Sequence, residues 1–177
     1  QALKMQNQHR WKYVFELCKG IKRCGEDTED GCGCLQPLKI RKDGLASIYA
    51  EWKNDSGEQT ENIVIQLTPE MVIKIFKRIS DDDVSFMGFS PLWSRPDWMV
   101  CQVLAVPPPA VRPSVKHDAQ QRSEDDLSHI IVNIIKTNKT LQEKSQNNAP
   151  GNVIQDWTTL LQYYVSTMVD NKIPGVA

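Results

Sequence analysis

The clearest hydrophobic pattern lies in the last third of the chain, where apolar residues recur every three or four positions in two runs. The runs comprise Leu127, Ile130, Ile131, Ile134, Ile135 and Leu141, then Ile154, Trp157, Leu161, Tyr164 and Met168. The polar stretch 145–152 separates them. Two apolar stripes with a short connection predict an antiparallel helical hairpin that starts at an N-cap on Ser123. We expect the contact between the two helices to bury the side chains of Ile131, Ile134, Trp157, Leu161 and Tyr164.

Upstream, the pattern predicts a helix, a loop and a small sheet. Residues 3–17 suit a helix, whereas 18–36 is rich in cysteine, glycine and acidic residues and predicts a loop. The β-like runs 45–52 and 62–67 predict two strands joined through the polar segment 53–61.

Capping residues and prolines predict the remaining elements of the first half. Thr68 and Ser80 each precede a short helical pattern as an N-cap. The apolar run 98–106 predicts a strand with Cys101 in the core, which must end at the proline block 107–109. We therefore divide the chain into 1–106, a connector 107–121 and the hairpin region 122–177.

Composition is that of a folded protein without a strong bulk charge. Hydrophobic residues make up 40 % and charged residues 24 %, and the formal net charge is -1. Any surface for nucleic acid must therefore be local. The candidates are the basic residues around the cysteine loop, for which solvated surface is the alternative: Lys19, Lys22, Arg23, Lys39, Arg41 and Lys42. Without a membrane-spanning run or signal-peptide pattern, we expect an intracellular protein with no membrane partner.

Four of the five cysteines crowd into the predicted loop, at positions 18, 24, 32 and 34. In a reducing compartment such crowding predicts metal binding rather than disulfides. A structural Zn²⁺ needs four soft ligands at ~2.3 Å. Spacing alone leaves two alternatives open: all four cysteines complete one zinc site, or they remain thiols without a metal. Only one residue separates Cys32 from Cys34, which is an unusual spacing for a pair of zinc ligands.

Several motifs occur in an order and spacing that resemble the largest subunit of archaeal and eukaryotic RNA polymerases. They are SRPDWM at 94–99, VPPPAVRPS at 106–114, RSEDDLS at 122–128 and LLQYYVSTMVDN at 160–171. The segments GCG at 31–33, QP at 36–37, IRKDGL at 40–45 and AEWK at 50–53 resemble the RNA polymerase II form most. The chain thus resembles the clamp region of that subunit over roughly residues 11–175.

The resemblance implies an α+β fold: a zinc-tethered clamp head and core with a small antiparallel sheet, then a projecting helical hairpin, the clamp coiled coil. The paired helices would span 124–143 and 150–170. The implied function is closure over template DNA and the DNA–RNA hybrid, with initiation and elongation factors docking on the hairpin. We expect them to contact Lys144, Asn147 and Asn148 at its tip.

The resemblance also implies one structural zinc, with Cys18 and Cys32 as two of its ligands and an earlier cysteine pair as the others. Cys24 and Cys34 depart from that set, and either replaces a missing ligand or stays free. Arg95 and Arg112 lie beside prolines in matched motifs, and we expect them to hydrogen-bond the protein's own carbonyls rather than substrate.

Catalysis would belong to the whole polymerase, a nucleotidyltransferase that uses Mg²⁺ held elsewhere. The family's catalytic aspartate motif lies further along its chain, so we assign no catalytic residue here and expect a fragment or a split subunit. Expected partners are the other polymerase subunits, in the nucleus or, for a large DNA virus, in a viral factory or virion. The alternative is a stand-alone zinc-binding adaptor with a helical-hairpin protein-binding surface.

Overall fold

A computed structural model describes residues 1–26, 28, 30–45, 47–53 and 62–175. The helices are α1 (Asn7–Cys18), α2 (Pro69–Phe76), α3 (Asp81–Phe86), α4 (Asp126–Gln146) and α5 (Gly151–Val169). The strands are β1 (Lys39–Asp43), β2 (Ser47–Trp52), β3 (Ile63–Gln66), β4 (Val115–Lys116) and β5 (Arg122–Ser123). The predicted α+β class is confirmed. No helix in the described part of the chain is both long and apolar enough to cross a membrane.

Two compact units make up the chain. The first comprises Gln1–Arg41 and Ile48–Gln102, and the second comprises Lys42–Ser47 and Val103–Ala177. The cysteine loop and helices α1 to α3 belong to the first unit, whereas the long helices α4 and α5 belong to the second.

The first helix begins later than the predicted residue 3, because a 3₁₀ turn at Ala2–Lys4 precedes it. Met5 is extended, with φ -96° and ψ 158°. The Arg10 guanidinium donates to the carbonyl oxygens of Met5 at 2.8 Å and Leu3 at 3.3 Å. These bonds hold the 3₁₀ turn beside the helix, so the sequence pattern does not continue as one helix.

The small sheet has the strand order β1-β2-β3, and β2 pairs antiparallel with β3 so that Tyr49 lies opposite Gln66 and Trp52 opposite Ile63. Both predicted strands are confirmed. Strand β1 was not predicted, because four of the five residues in KIRKD are polar and give no apolar alternation. Most of the predicted hairpin connection 53–61 lies outside the described residues.

The two predicted helix caps are confirmed. Thr68 Oγ1 accepts from the Met71 amide at 3.3 Å, and Ser80 Oγ accepts from the Asp83 amide at 3.1 Å. These bonds satisfy amide groups that the first turn of a helix leaves without a partner. Helix α3 places Val84, which is fully buried, in the interior of the first unit.

The predicted strand 98–106 is wrong. The structure has a 3₁₀ turn at Pro96–Met99 and no regular element over residues 100–106. Pro96 sits in the first turn of this element, and the preceding Arg95 bonds Asp97 at 2.8 Å, so both favour a tight turn over extended chain. The core position expected for Cys101 is wrong as well, since this residue is exposed.

The predicted helical hairpin is confirmed as the packed pair α4 and α5. Ile131 and Ile134 are buried, at 5 % and 8 % exposure, as expected. Trp157, Leu161 and Tyr164 are half-buried. The two helices also carry three buried hydroxyl side chains that the apolar pattern does not reveal: Ser128, Thr137 and Thr167.

The predicted N-cap at Ser123 is wrong, because Ser123 pairs with Val115 in the β4–β5 ribbon. The Asp125 carboxylate caps α4 instead and accepts from the Leu127 amide at 2.9 Å. An acidic cap also suits the positive end of the helix dipole. The proline block does not stay extended throughout, since Pro109–Val111 forms a 3₁₀ turn.

Candidate zinc loop and docking surface

Backbone hydrogen bonds fold the cysteine loop into a narrow antiparallel ribbon. Arg23 forms an isolated bridge with Leu35. On either side of it, the Cys24 amide donates to the Cys34 carbonyl at 2.9 Å, and the Gln36 amide donates to the Lys22 carbonyl at 2.8 Å. The pairing places Cys24 opposite Cys34 at the closed end of the ribbon.

Two glycines allow the ends of this ribbon to approach each other. A Cβ on Gly25 would lie 2.3 Å from the Gly31 Cα, and a Cβ on Gly31 would lie 2.3 Å from the Gly25 Cα. Gly25 also has φ +71°, a conformation that L side chains rarely adopt. The Arg23 guanidinium adds a bond of 3.0 Å to the Gly33 carbonyl. The cysteine positions therefore depend on backbone contacts that only glycine permits.

Three of the thiols interact at this end. The pKa of Cys32 is lowered, first by the backbone amide of Cys34 and then by hydrogen bonds with the side chains of Cys34 and Cys24. The pKa of Cys34 is raised by its hydrogen bond to the Cys32 side chain and by the charge of that group. The surroundings of Cys32 thus favour its thiolate, whereas those of Cys34 disfavour its own.

The structure places the cysteines of the predicted zinc loop on two different elements. Cys18 is the last residue of α1 and is exposed, and Cys24, Cys32 and Cys34 are grouped by the ribbon. Among residues 1–26, 28, 30–45, 47–53 and 62–175, no three His, Cys, Asp or Glu side chains form a group that could hold a metal ion.

Cys32 nevertheless fits a zinc ligand chemically. Zinc binds the thiolate form of cysteine, and an amide that donates to sulfur stabilises that form. The Cys34 amide supplies this hydrogen bond to Cys32. Nearby, the Glu26 carboxylate accepts from the Lys22 amide at 2.9 Å, and this bond, ahead of the others, lowers the Glu26 pKa.

Part of the predicted basic surface is engaged in contacts within the protein. Lys19 pairs with Glu16 at 2.7 Å and also lies over the Phe15 ring. Arg41 pairs with Glu51 at 2.5 Å and stacks on Tyr49. Arg23 donates to the Gly33 carbonyl within the cysteine loop. The remaining candidates, Lys22, Lys39 and Lys42, have exposed side chains.

The turn between α4 and α5 has a defined backbone geometry. The Ala149 amide donates to the Lys144 carbonyl at 3.0 Å, and the Asn148 amide donates to the Ser145 carbonyl at 3.2 Å. Asn148 has φ +51°. This is a Schellman motif in which asparagine takes the left-handed position usually given to glycine. Lys144, Asn147 and Asn148 are exposed together on this turn, which we name the tip.

Two arginines make the bonds predicted for them. Arg95 donates to the Ile79 carbonyl at 2.9 Å and also bonds the carboxylates of Asp81 and Asp97. Arg112 donates to the Pro107 carbonyl at 2.9 Å and to Ser128 Oγ at 3.1 Å. The expectation that they hydrogen-bond the protein's own carbonyls is confirmed. The carboxylate partners of Arg95 were not predicted, although the Arg-Pro-Asp sequence contains one of them.

One family model matches the chain. Its description is RNA polymerase Rpb1, domain 1, and the match covers residues 1–177. The zinc loop, the Arg95 contacts and the tip all lie within the matched region.

Proposed function

The chain belongs to the RNA polymerase Rpb1 domain 1 family, the clamp region of the largest subunit, and from this premise we propose that it closes over template DNA and the DNA–RNA hybrid and docks transcription factors. As a domain of the catalytic subunit of DNA-directed RNA polymerase, it works in transcription with the other subunits and DNA. We propose a nuclear location, with a viral factory or virion as the alternative for a viral source.

The observation that best supports a docking role is the contrast between the α4–α5 seam and its tip. Ile131 and Ile134 are buried in the seam. The tip has no comparable apolar content, and its side chains at 144, 147 and 148 are exposed. A helix pair held together along its length can present a defined polar turn without relying on that turn for stability. The tip is therefore free to serve recognition.

We propose that residues 1–106 form the clamp head and core and that residues 122–177 form the docking hairpin. Residues 107–121 would be the connector between these two parts. Lys22, Lys39 and Lys42, with the already paired Lys19, Arg23 and Arg41, would contact phosphates without reading sequence. Nucleotide addition uses Mg²⁺ bound elsewhere in the polymerase. This chain would contribute retention of the nucleic acids rather than a reacting group.

Zinc would be held by Cys18 and Cys32 together with the earlier cysteine pair that the resemblance implies, and it would act as a structural cross-link. The stabilised thiolate of Cys32 supports this role. Within the described ribbon, backbone bonds and glycine contacts supply the local order, and few apolar residues are available to add to it.

Substitution of the tip should weaken factor binding without unfolding the hairpin. We expect the double variant Asn147→Ala, Asn148→Gly to bind an elongation factor at least about tenfold more weakly, a loss of ~1.4 kcal/mol. Glycine is chosen at 148 because φ +51° there would strain alanine. The measurement is the dissociation constant of the assembled polymerase for the factor.

The matched control is Asn138→Ala, which removes an exposed amide from the same helix away from the tip. Both proteins should keep the melting temperature of the parent. If the tip variant binds the factor with unchanged affinity, while substitutions at the ends of the helices away from the tip abolish binding, the factor docks at those ends and the proposal is contradicted.

Substitution of the predicted zinc ligand should remove metal. In Cys32→Ser we expect loss of about one zinc ion per chain, because the hydroxyl is a poor replacement for a thiolate ligand. Elemental analysis of the assembled polymerase measures this, and Cys101→Ser is the control that should retain its zinc. The same metal content in both variants would remove Cys32 from the site.

A further inference from the structure

The two outer strands of the small sheet differ in charge. Within the part of the chain that the structure describes, the sheet ends at β1 on one side and at β3 on the other. Strand β1 has the sequence KIRKD, in which four of five residues are charged, whereas β3 has the sequence IVIQ and no charge. Charged side chains on an outer strand discourage other strands from pairing with it. Only β1 has this protection.

The register of β3 shows which of its backbone groups face outward. The Leu67 amide donates to the Ile48 carbonyl at 2.8 Å, which continues the register that places Val64 opposite Glu51. In an antiparallel pair, alternate residues bond the neighbouring strand and the residues between them point away from it. Because Val64 lies an odd number of positions from Leu67, its amide and carbonyl point to the outer edge of β3.

The side chains of β3 leave both faces of the strand open. Ile63, Val64 and Ile65 are 49 %, 47 % and 42 % exposed. Side chains alternate between the two faces of a strand, so Val64 lies on one face and the two isoleucines on the other. Ala50 of β2, opposite Ile65, is only 1 % exposed. The sheet is therefore closed at this point of its central strand and open along β3.

We propose that an extended segment of another RNA polymerase subunit pairs with β3 and adds a fourth strand to the sheet. Its backbone bonds the outward amide and carbonyl of Val64, as in other cases of strand addition to a sheet edge. Its apolar side chains, at every second position, extend the row formed by Ile63 and Ile65 and cover it from the side. The uncharged sequence of β3 suits this pairing.

The small size of the edge favours another subunit over a second copy of this chain. Four residues of β3 span roughly 14 Å, and a contact of that length covers far less than the ~800 Å² per partner of a stable interface. A free second copy is therefore not held by this edge alone. A segment of a subunit that is already bound in the polymerase is held at high effective concentration and needs no larger contact. Membership of the largest-subunit family implies such subunits.

Hydrogen exchange of single amides in the assembled polymerase tests the pairing without altering the protein. We expect the Val64 amide to exchange at least about a hundredfold more slowly than a free peptide amide, because it donates to the added strand. The Ile65 amide faces β2 and serves as the reference for an amide bonded within the sheet. Exchange of the Val64 amide at the free rate overturns the inference.

Photo-crosslinking in the assembled polymerase identifies the partner. A photoreactive residue replaces Val64 or, in the control, Ile40, which is 60 % exposed on β1. We expect position 64 to cross-link to a different subunit, with at least about tenfold less product from position 40. No cross-link from position 64, or one to a second copy or to another part of the same subunit, overturns the inference. Equal yields from the two positions contradict the difference between the two edges.

Discussion

Replacing Ile134 by alanine should destabilise the α4–α5 pair by about 2–5 kcal/mol. Ile134 is 8 % exposed and lies on the seam with Ile131. Truncation removes buried methyl and methylene groups and leaves a cavity that close-packed neighbours only partly fill. Amide hydrogen exchange in the assembled polymerase measures the effect. Protection along both helices should fall by at least about thirtyfold, since each 1.4 kcal/mol is a factor of ten.

Ile135 provides a control of identical chemistry at the next position. Its side chain is 60 % exposed, so Ile135→Ala loses little buried area and should change the free energy of unfolding by less than about 0.5 kcal/mol. Equal effects of the two substitutions would contradict the burial of the seam. A large effect confined to Ile135 would show that the outer face of α4 is covered by another part of the polymerase.

Replacing Arg95 by alanine should destabilise the first unit far more than the loss of a neighbouring surface arginine does. The guanidinium is 16 % exposed and bonds Asp97, whose side chain is 11 % exposed, at 2.8 Å. It also bonds the Ile79 carbonyl and the Asp81 carboxylate. Removing the cation leaves the largely buried carboxylate of Asp97 without its charge partner, and such losses are among the most costly single changes.

Arg78→Ala is the matched control, because Arg78 is exposed and lies one residue before Ile79. Its effect should remain within about 0.5 kcal/mol. Hydrogen exchange of the α2 and α3 amides distinguishes the two variants. If Arg95→Ala leaves those amides as protected as in the parent, the arginine does not stabilise the first unit.

The parts of the fold that the sequence could predict are those where one local interaction dominates. A three-to-four-residue apolar repeat identifies α4 and α5, because a helix can bury one stripe only with that spacing. Thr68 and Ser80 identify helix starts because their hydroxyls satisfy amides within the same turn. These signals need no knowledge of distant residues.

The errors occur where a local signal competes with a neighbouring contact. Ser123 is a good cap by residue type, but it pairs with Val115, and Asp125 caps the helix two residues later. The apolar run 98–106 resembles a strand, yet Pro96 and the Arg95–Asp97 pair turn the chain at its start. Apolar content alone does not distinguish a strand from an exposed segment that lacks a neighbouring strand.

The candidate zinc loop could be recognised from its cysteines, but its arrangement could not be predicted. Spacing leaves open which thiols meet. The Arg23–Leu35 bridge and the Gly25–Gly31 approach decide that Cys24, Cys32 and Cys34 are grouped. The tip is a similar case, since the exposed asparagines are evident in the sequence, whereas the left-handed conformation of Asn148 depends on its hydrogen bonds to α4.

Docking of factors at the tip of the α4–α5 pair is tested most directly by site-specific photo-crosslinking. A photoreactive residue replaces Asn147 at the tip or, in a second polymerase, Val169, which is 82 % exposed at the far end of α5. After illumination with an initiation or elongation factor, we expect a cross-linked factor from position 147 and none from position 169. Cross-linking from position 169 alone would contradict docking at the tip.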